Sequence, residues 1–253
     1  MIKDLERKDG CPFKFYHKWV NNAIKDNPSE VMNYGTYFET LVIGSGAHGN
    51  SLTELPLLKS GKKSAVNLRI DQQAEYAKEM LFNPDHPDYL GFKVTETQAK
   101  LRDEDSNYEG IGDILGERPT GRPVLADLKL TADVNATFGP YPWGNLVYMD
   151  FLQQILYSYL FKTMYGERPE NILIVFDHSA NMGKKIITLK EDENTLNVLF
   201  DRIDSFEEAL AHYGENGFTK FPSRKECEGC PFTDIGCDVP FTTDKVEYVE
   251  IEL

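Results

Sequence analysis

Residues 122–131, RPVLADLKLT, constrain the chain more than any other stretch, because an apolar strand pattern there carries both an acid and a base. Side chains two apart on a strand share a face. Val124, Ala126, Leu128 and Leu130 therefore form one wholly apolar face, and Leu125, Asp127, Lys129 and Thr131 form the other. The first face reads as pure core. The second fits either of two arrangements. One is a half-solvated sheet on which Asp127 and Lys129 make an ion pair worth about 0–1 kcal/mol. The other is a site that uses both charges.

The preceding stretches bear on that choice. GFKVTETQAKLRD (91–103) alternates apolar and polar residues, as do residues 110–115, and ERPTGRP (117–123) is a turn signal. The three segments read as an antiparallel meander. In the middle one Asp113 shares a face with Ile111 and Leu115, while Gly110 and Gly112 leave the opposite face bare. Two carboxylates on neighbouring strands can converge on a hard divalent cation, which takes oxygen ligands, with the lysine facing the same water. Phosphodiester hydrolysis needs that combination. The cation polarises the phosphate and lowers the pKa of a bound water, and an ammonium beside it orients the nucleophile or steadies developing charge.

Around the meander the pattern is helical. CPFKFYHKWV (11–20) sets Phe15, Trp19 and Val20 among Lys14 and Lys18, as an amphipathic helix would. A second helix is expected over residues 33–43, ended by the glycines of GSGAHGN, and a third over 68–82. After the loop FGPYPWG, residues 146–166 predict one long apolar and aromatic helix. Residues 171–178 and 184–190 are strand candidates, and 193–214 an acidic amphipathic helix. At 253 residues the chain is near the upper size for one hydrophobic core, so a single domain over 1–253 is expected. No apolar run approaches the roughly 20 residues of a membrane span, and MIKDLERKDG lacks a signal-peptide core. A cytoplasmic protein without a membrane partner is the expectation.

The formal charge of −14 excludes a protein that coats nucleic acid by bulk electrostatics. Basic faces survive within that total: Lys59, Lys62, Lys63 and Arg69 stand together with no acid, whereas residues 191–215 are strongly acidic.

Order and spacing now become specific. An Asp ending a G-x-x-D-like strand (Asp113), a turn, a D-x-K strand (Asp127, Lys129) and a helix with Q-x-x-x-Y (Gln153, Tyr157) resemble the RecB-like branch of the PD-(D/E)XK nuclease superfamily. YGTYFETLVIG is similar to the family's first motif, with Gly35 four residues before Glu39, where many members carry His and phage-type relatives Glu. The resemblance implies a restriction-endonuclease-like α/β fold, with a central mixed sheet flanked by helices. It implies DNA as substrate, attacked at linear or single-stranded ends by a Mg²⁺- or Mn²⁺-dependent exonuclease of recombination or repair. By the same resemblance, Asp113, Asp127 and the Leu128 carbonyl bind the metal and Lys129 steadies the attacking water. Glu39 assists as a ligand, directly or through water. Gln153 and Tyr157, on one helix face, contact DNA or hold the metal shell. A recombination partner protein fits so acidic a chain, with residues 191–215 as a docking face. A nuclease-like module that binds DNA ends or a protein without cleaving, and an endonuclease or ribonuclease on the same fold, are the rival readings.

Cys227, Cys230 and Cys237 form C-x2-C-x6-C, and Cys11 opens CPFKFY. Four thiolates suit a structural Zn²⁺ or an iron–sulfur cluster, and spacing does not separate the two. The pattern resembles the iron–sulfur RecB-like nucleases, the AddB subunit and the CRISPR-associated adaptation exonucleases among them. That implies a [4Fe–4S] cluster held by Cys11, Cys227, Cys230 and Cys237, clipping residues 1–25 to 221–253 as a subdomain and closing a very long loop. Tyr141 and Trp143, just before the Q-x-x-x-Y helix, either stack on bases of a single strand or anchor their loop. The five histidines show no ligand spacing.

Overall fold

Ser29 and Ser64 each open a helix by accepting a hydrogen bond from the backbone N–H three residues on, Met32 at 3.2 Å and Asn67 at 3.1 Å. The helices they start are α2 (Glu30–Ile43) and α3 (Ala65–Phe82), each beginning three residues earlier than periodicity alone predicts. The computed structural model describes residues 11–23, 28–46, 49–106, 108–139 and 141–218. Ahead of α2 lies α1 (Pro12–Phe15), which continues as a π-helical turn over Tyr16–Val20. After α3 come β1 (Lys93–Arg102), β2 (Glu109–Glu117), β3 (Pro123–Thr131), α4 (Leu152–Tyr165), β4 (Glu170–Asp177), β5 (Lys184–Leu189) and α5 (Glu193–Asn216).

The strands form one mixed sheet in the order β1-β2-β3-β4-β5. The expected meander is present, β1–β2 and β2–β3 being antiparallel; β4 then joins β3 in parallel and β5 closes antiparallel. A parallel return needs a crossover, and α4 supplies it. One face of the sheet packs on α2 and α3, where Phe38, Ile70, Ala74 and Met80 meet Ile114, Val124, Ala126, Leu128, Ile174 and Phe176. The apolar face read from residues 124–130 is thus core. The other face carries two separate apolar clusters. Leu160 and Phe161 of α4 cover Ala99, Leu101, Leu115 and Leu125, and Trp143 with Val134 covers Leu173, Val175 and Ile187.

Two expectations about helices are corrected. Residues 146–166 do not form one helix: a 3-10 turn at Leu146–Tyr148 is followed by a break, and α4 starts at Leu152. The Asp150 carboxylate accepts from Leu152 N at 2.9 Å, so a side chain just outside the helix satisfies an N–H that a preceding turn would otherwise leave inside it. In α1, Phe15 is buried but Trp19 and Val20 are exposed. The wider π turn alters the 3.6-residue phase on which their shared face depended.

The chain divides into two compact units, residues 28–199 and residues 1–27 with 200–253, and the division falls inside α5. In the second unit Phe15 meets Phe206 edge to face at 6.1 Å between ring centroids. Along α5, Leu199, Ile203 and Phe206 are buried while Asp201, Asp204, Glu207 and Glu208 face water. Among the described residues, no helix is long and apolar enough to cross a membrane.

Candidate functional site

Between the two apolar clusters on the α4 side of the sheet lies a polar gap, and Asp113, Asp127 and Lys129 fill it. The β2–β3 ladder opens it. Its paired residues run from Glu117↔Pro123 to Ile114↔Ala126 and stop there, one step before the two aspartates. Beyond that point Leu128 N donates 2.8 Å to Asp113 Oδ2, so a side chain takes the place of a ladder carbonyl. Both aspartates are buried, Asp113 4% and Asp127 3% exposed. Lys129 Nζ lies 2.7 Å from Asp127 Oδ2 and 4.0 Å from Asp113 Oδ2, and its side chain, 31% exposed, reaches water. The arrangement is therefore not the half-solvated surface pair that the triplet alone allowed.

Strict alternation fails in β2, for a reason that matters to the site. A Cβ on Gly110 would lie 2.3 Å from the Tyr157 ring and one on Gly112 2.8 Å from Leu125, both on the α4 side, whereas a Cβ on Gly116 would strike Phe92 on the α2–α3 side. Ile114 also belongs to the α2–α3 side. The strand thus changes face at Asp113. The face that the glycines were expected to leave bare is covered, because the missing side chain of Gly110 admits Tyr157 and that of Gly112 admits Leu125.

The same rung is irregular in β1. Thr97 pairs with Ile114 and Ala99 with Gly112, which places Gln98 opposite Asp113. Gln98 has φ +55°, a left-handed conformation uncommon for a residue of this type. Its Nε2 lies 3.5 Å from Asp113 Oδ1. On the other flank Gln154 of α4 is buried and its Nε2 donates to Asp127 Oδ2 at 3.4 Å. Asn171 donates 2.9 Å bonds to the Gln154 carbonyl and to Glu191. Sequence reasoning passed over Gln98, Gln154 and Asn171. Gln154 left one trace, a second glutamine beside Gln153; the other two left none, since only the register brings them here.

Gln153 and Tyr157 are brought together as one helix turn predicts, with Gln153 Nε2 donating 2.9 Å to Tyr157 Oη. Burial, the largest cause, raises the Tyr157 hydroxyl above its usual pKa, so it is a proton donor at neutral pH. Glu39 reaches the edge of the site from α2. Its carboxylate lies where a Cβ on Gly46 would be 3.2 Å away, and its negative charge acts on both Asp113 and Lys129. Among the described residues no three His, Cys, Asp or Glu side chains gather closely enough to hold a metal ion.

Burial and mutual charge perturb both ionisable partners of the gap. Burial, and then the charge of Asp127, raise the Asp113 carboxyl to about 8, against the pull of Lys129. Burial lowers Lys129, but the charges of Asp127 and Asp113 outweigh it and hold the ammonium protonated. Asp113 and Asp127 both lie against Lys129. Asp127 Oδ1 and Gln98 Oε1 are also buried with no hydrogen-bond partner. An all-oxygen donor set with orphaned acceptors fits a hard divalent cation.

Trp143 is not a stacking platform. It is 4% exposed within the cluster over β4 and β5, and its carbonyl accepts from Lys185 Nζ at 2.6 Å, so it anchors its loop. Tyr141, 62% exposed, stands clear of that core. Cys11 is half-buried at the start of α1; Cys227, Cys230 and Cys237 lie outside the described residues.

The fold has a solved counterpart. Over 99% of its length the chain aligns with 90% of a protein from Eubacterium rectale named "Putative exonuclease", with a TM-score of 0.57 and 16% sequence identity. At that identity the likeness shows a shared α/β fold. A second solved structure, SSO0001, aligns over 93% of this chain and 84% of its own at 15% identity; its TM-score of 0.37 carries no argument. No family model and no curated protein matches the chain.

Proposed function

We propose that the protein is a Mg²⁺- or Mn²⁺-dependent deoxyribonuclease that hydrolyses phosphodiester bonds from the ends of DNA. One observation carries the reading: two buried carboxylates on adjacent strands, one with an unsatisfied oxygen, beside a lysine that reaches water. The name of the structural neighbour supports a nuclease, and the order of the sequence motifs supports DNA as its substrate.

Asp113 and Asp127 are the groups that would hold the metal. In an extended residue N–H and C=O point to the same edge of the strand, so the Leu128 carbonyl faces the opened gap with its N–H and is the third candidate oxygen. The bound cation would polarise the scissile phosphate and acidify a water. Lys129 stays protonated at neutral pH and steadies the attacking oxygen and the charge that develops on the phosphate. Glu39 assists from the rim, as a ligand directly or through water. Gln153 occupies one side of the Tyr157 hydroxyl, whose proton is left to donate to a DNA phosphate. The two apolar clusters exclude water from either side of the gap, which strengthens each of these interactions.

Cys11, Cys227, Cys230 and Cys237 are proposed to hold a [4Fe–4S] cluster, with zinc as the alternative occupant. The spacing of the C-x2-C-x6-C group and its pairing with an N-terminal Cys11 support that reading. Work in recombination or repair, with a basic protein partner, is part of the same proposal.

The test is cleavage of end-labelled linear and closed circular DNA with Mg²⁺, Mn²⁺ or EDTA, using anaerobically prepared wild type and Asp127→Ala. Metal-dependent loss of linear DNA by the wild type alone is the expected result. Folded wild-type protein that cuts no DNA with either metal would replace the nuclease by an end-binding module.

A further inference from the structure

We infer that Gln98 is a residue of the metal site, its side-chain amide oxygen completing the donor set begun by Asp113 and Asp127. The inference rests on the metal-dependent reading above and adds to it a residue that none of the sequence motifs contains.

Three observations meet at this one side chain. Its backbone is strained: φ is +55° at a residue other than glycine, asparagine or aspartate. Such outliers persist where the surroundings hold them, and they gather at functional sites. The strained rung is the one shared with Asp113, where β2 also changes face, so the two irregular strands are irregular together. Finally, the amide is placed but not satisfied. Nε2 sits 3.5 Å from Asp113 Oδ1, at the limit of a hydrogen bond, while Oε1 is buried with no partner.

A glutamine retained only for structure would have both amide atoms bonded, since a buried acceptor without a partner is costly. The second orphaned carboxylate or amide acceptor of the site is Asp127 Oδ1, on the far side of Asp113 from β1. Two unsatisfied oxygens flanking one buried carboxylate describe a place for a cation. A neutral amide oxygen suits it chemically. It adds a hard ligand without adding a further negative charge beside two buried aspartates.

The experiment is calorimetric titration of the full chain with Mn²⁺ at pH 7.5, together with thermal melting in EDTA, on wild type, Asp127→Ala, Gln98→Gly and Gln98→Glu. Glycine suits φ +55° and removes the amide, so Gln98→Gly should melt at or above the wild-type temperature yet bind Mn²⁺ about 10-fold more weakly. Gln98→Glu offers an oxygen at the same reach and should bind Mn²⁺ at least as tightly as wild type. Should Gln98→Gly fail to fold, Gln98→Asn, which also tolerates this backbone but falls one methylene short, replaces it and should show the same loss. Wild-type affinity in the shortened variant would overturn the role of Gln98 while leaving the metal site intact. Gln98→Glu binding more weakly than Gln98→Gly would show that the amide serves Asp113 as a donor, which also overturns it. Wild type that binds no more Mn²⁺ than Asp127→Ala would remove the metal site itself, and the nuclease reading with it.

Discussion

On the side of the sheet covered by α2 and α3, Val124, Ala126 and Leu128 of β3 meet Phe38, Ile70 and Met80 with no charge among them. On the other side the residues between them in sequence, Asp127 and its neighbour Lys129, lie in a gap between two apolar clusters, and one carboxylate oxygen has no partner. One nine-residue strand thus serves two purposes through the alternation of its side chains. The first face is where apolar burial stabilises the molecule. The second gives up part of that stabilisation, keeping two carboxyls close together in a dry place where a cation would be held strongly. The contrast teaches that the site depends on the opposite face for its rigidity: two buried carboxyls can be held side by side only because the strand beneath them is fixed.

The contrast can be broken most severely at Asp127. Replacing it with alanine should lower DNA cleavage by about 10³-fold or more, with a melting temperature within a few degrees of wild type in EDTA; a fall in melting temperature that accounts for the lost activity would merge the two faces. The reverse case is Phe38→Ala on the fully buried side, which should cost about 3–5 kcal/mol in denaturant unfolding while leaving cleavage per folded molecule within a few-fold.

Gly110→Ala tests the contact between β2 and the Q-x-x-x-Y helix. A methyl group there meets the Tyr157 ring and should cost about 1–3 kcal/mol. In the double variant with Tyr157→Ala most of that cost should disappear, as a double-mutant cycle would reveal; additive losses would mean that the ring is not what the glycine accommodates.

The smallest effect is a gain. Asparagine at 113 keeps an acceptor for Leu128 N but needs no proton held on a carboxyl that the unfolded chain would ionise, and should stabilise metal-free protein by about 0.5–2 kcal/mol near neutral pH. Its pH dependence has a definite sign. A carboxyl whose folded pKa is raised to about 8 holds its proton in the folded state after the unfolded chain has released it. Its contribution is complete below the ordinary carboxylate range, about 4, and is lost as the pH climbs toward 8. The advantage of Asp113→Asn should therefore widen from pH 5 to pH 8, measured by melting in EDTA, and a constant gap would contradict the buried, raised carboxyl.

Much of the fold could be read from periodicity because its strands alternate and its helices carry caps. The meander, the apolar face of residues 124–130 and the pairing of Gln153 with Tyr157 follow from spacings of two and four residues. Where the reading failed, a local exception had won. The π turn after Phe15 displaced Trp19 and Val20 from the buried side. Asp150 reset the start of α4. A change of face at Asp113 turned Gly110 and Gly112 toward α4. Trp143, ambiguous as a loop aromatic, proved to be the loop's anchor.

Residue types and short spacings by themselves fixed which groups could do chemistry here: two aspartates and a lysine on strands, and a glutamine and a tyrosine on a helix. Whether those groups would be dry was decided only by the tertiary structure. Burial, the end of the β2–β3 ladder before Asp113 and the arrival of Gln98 and Gln154 from distant segments all depend on strand register and on which face each layer covers. No local pattern encodes those, because they arise from contacts between residues far apart in the chain.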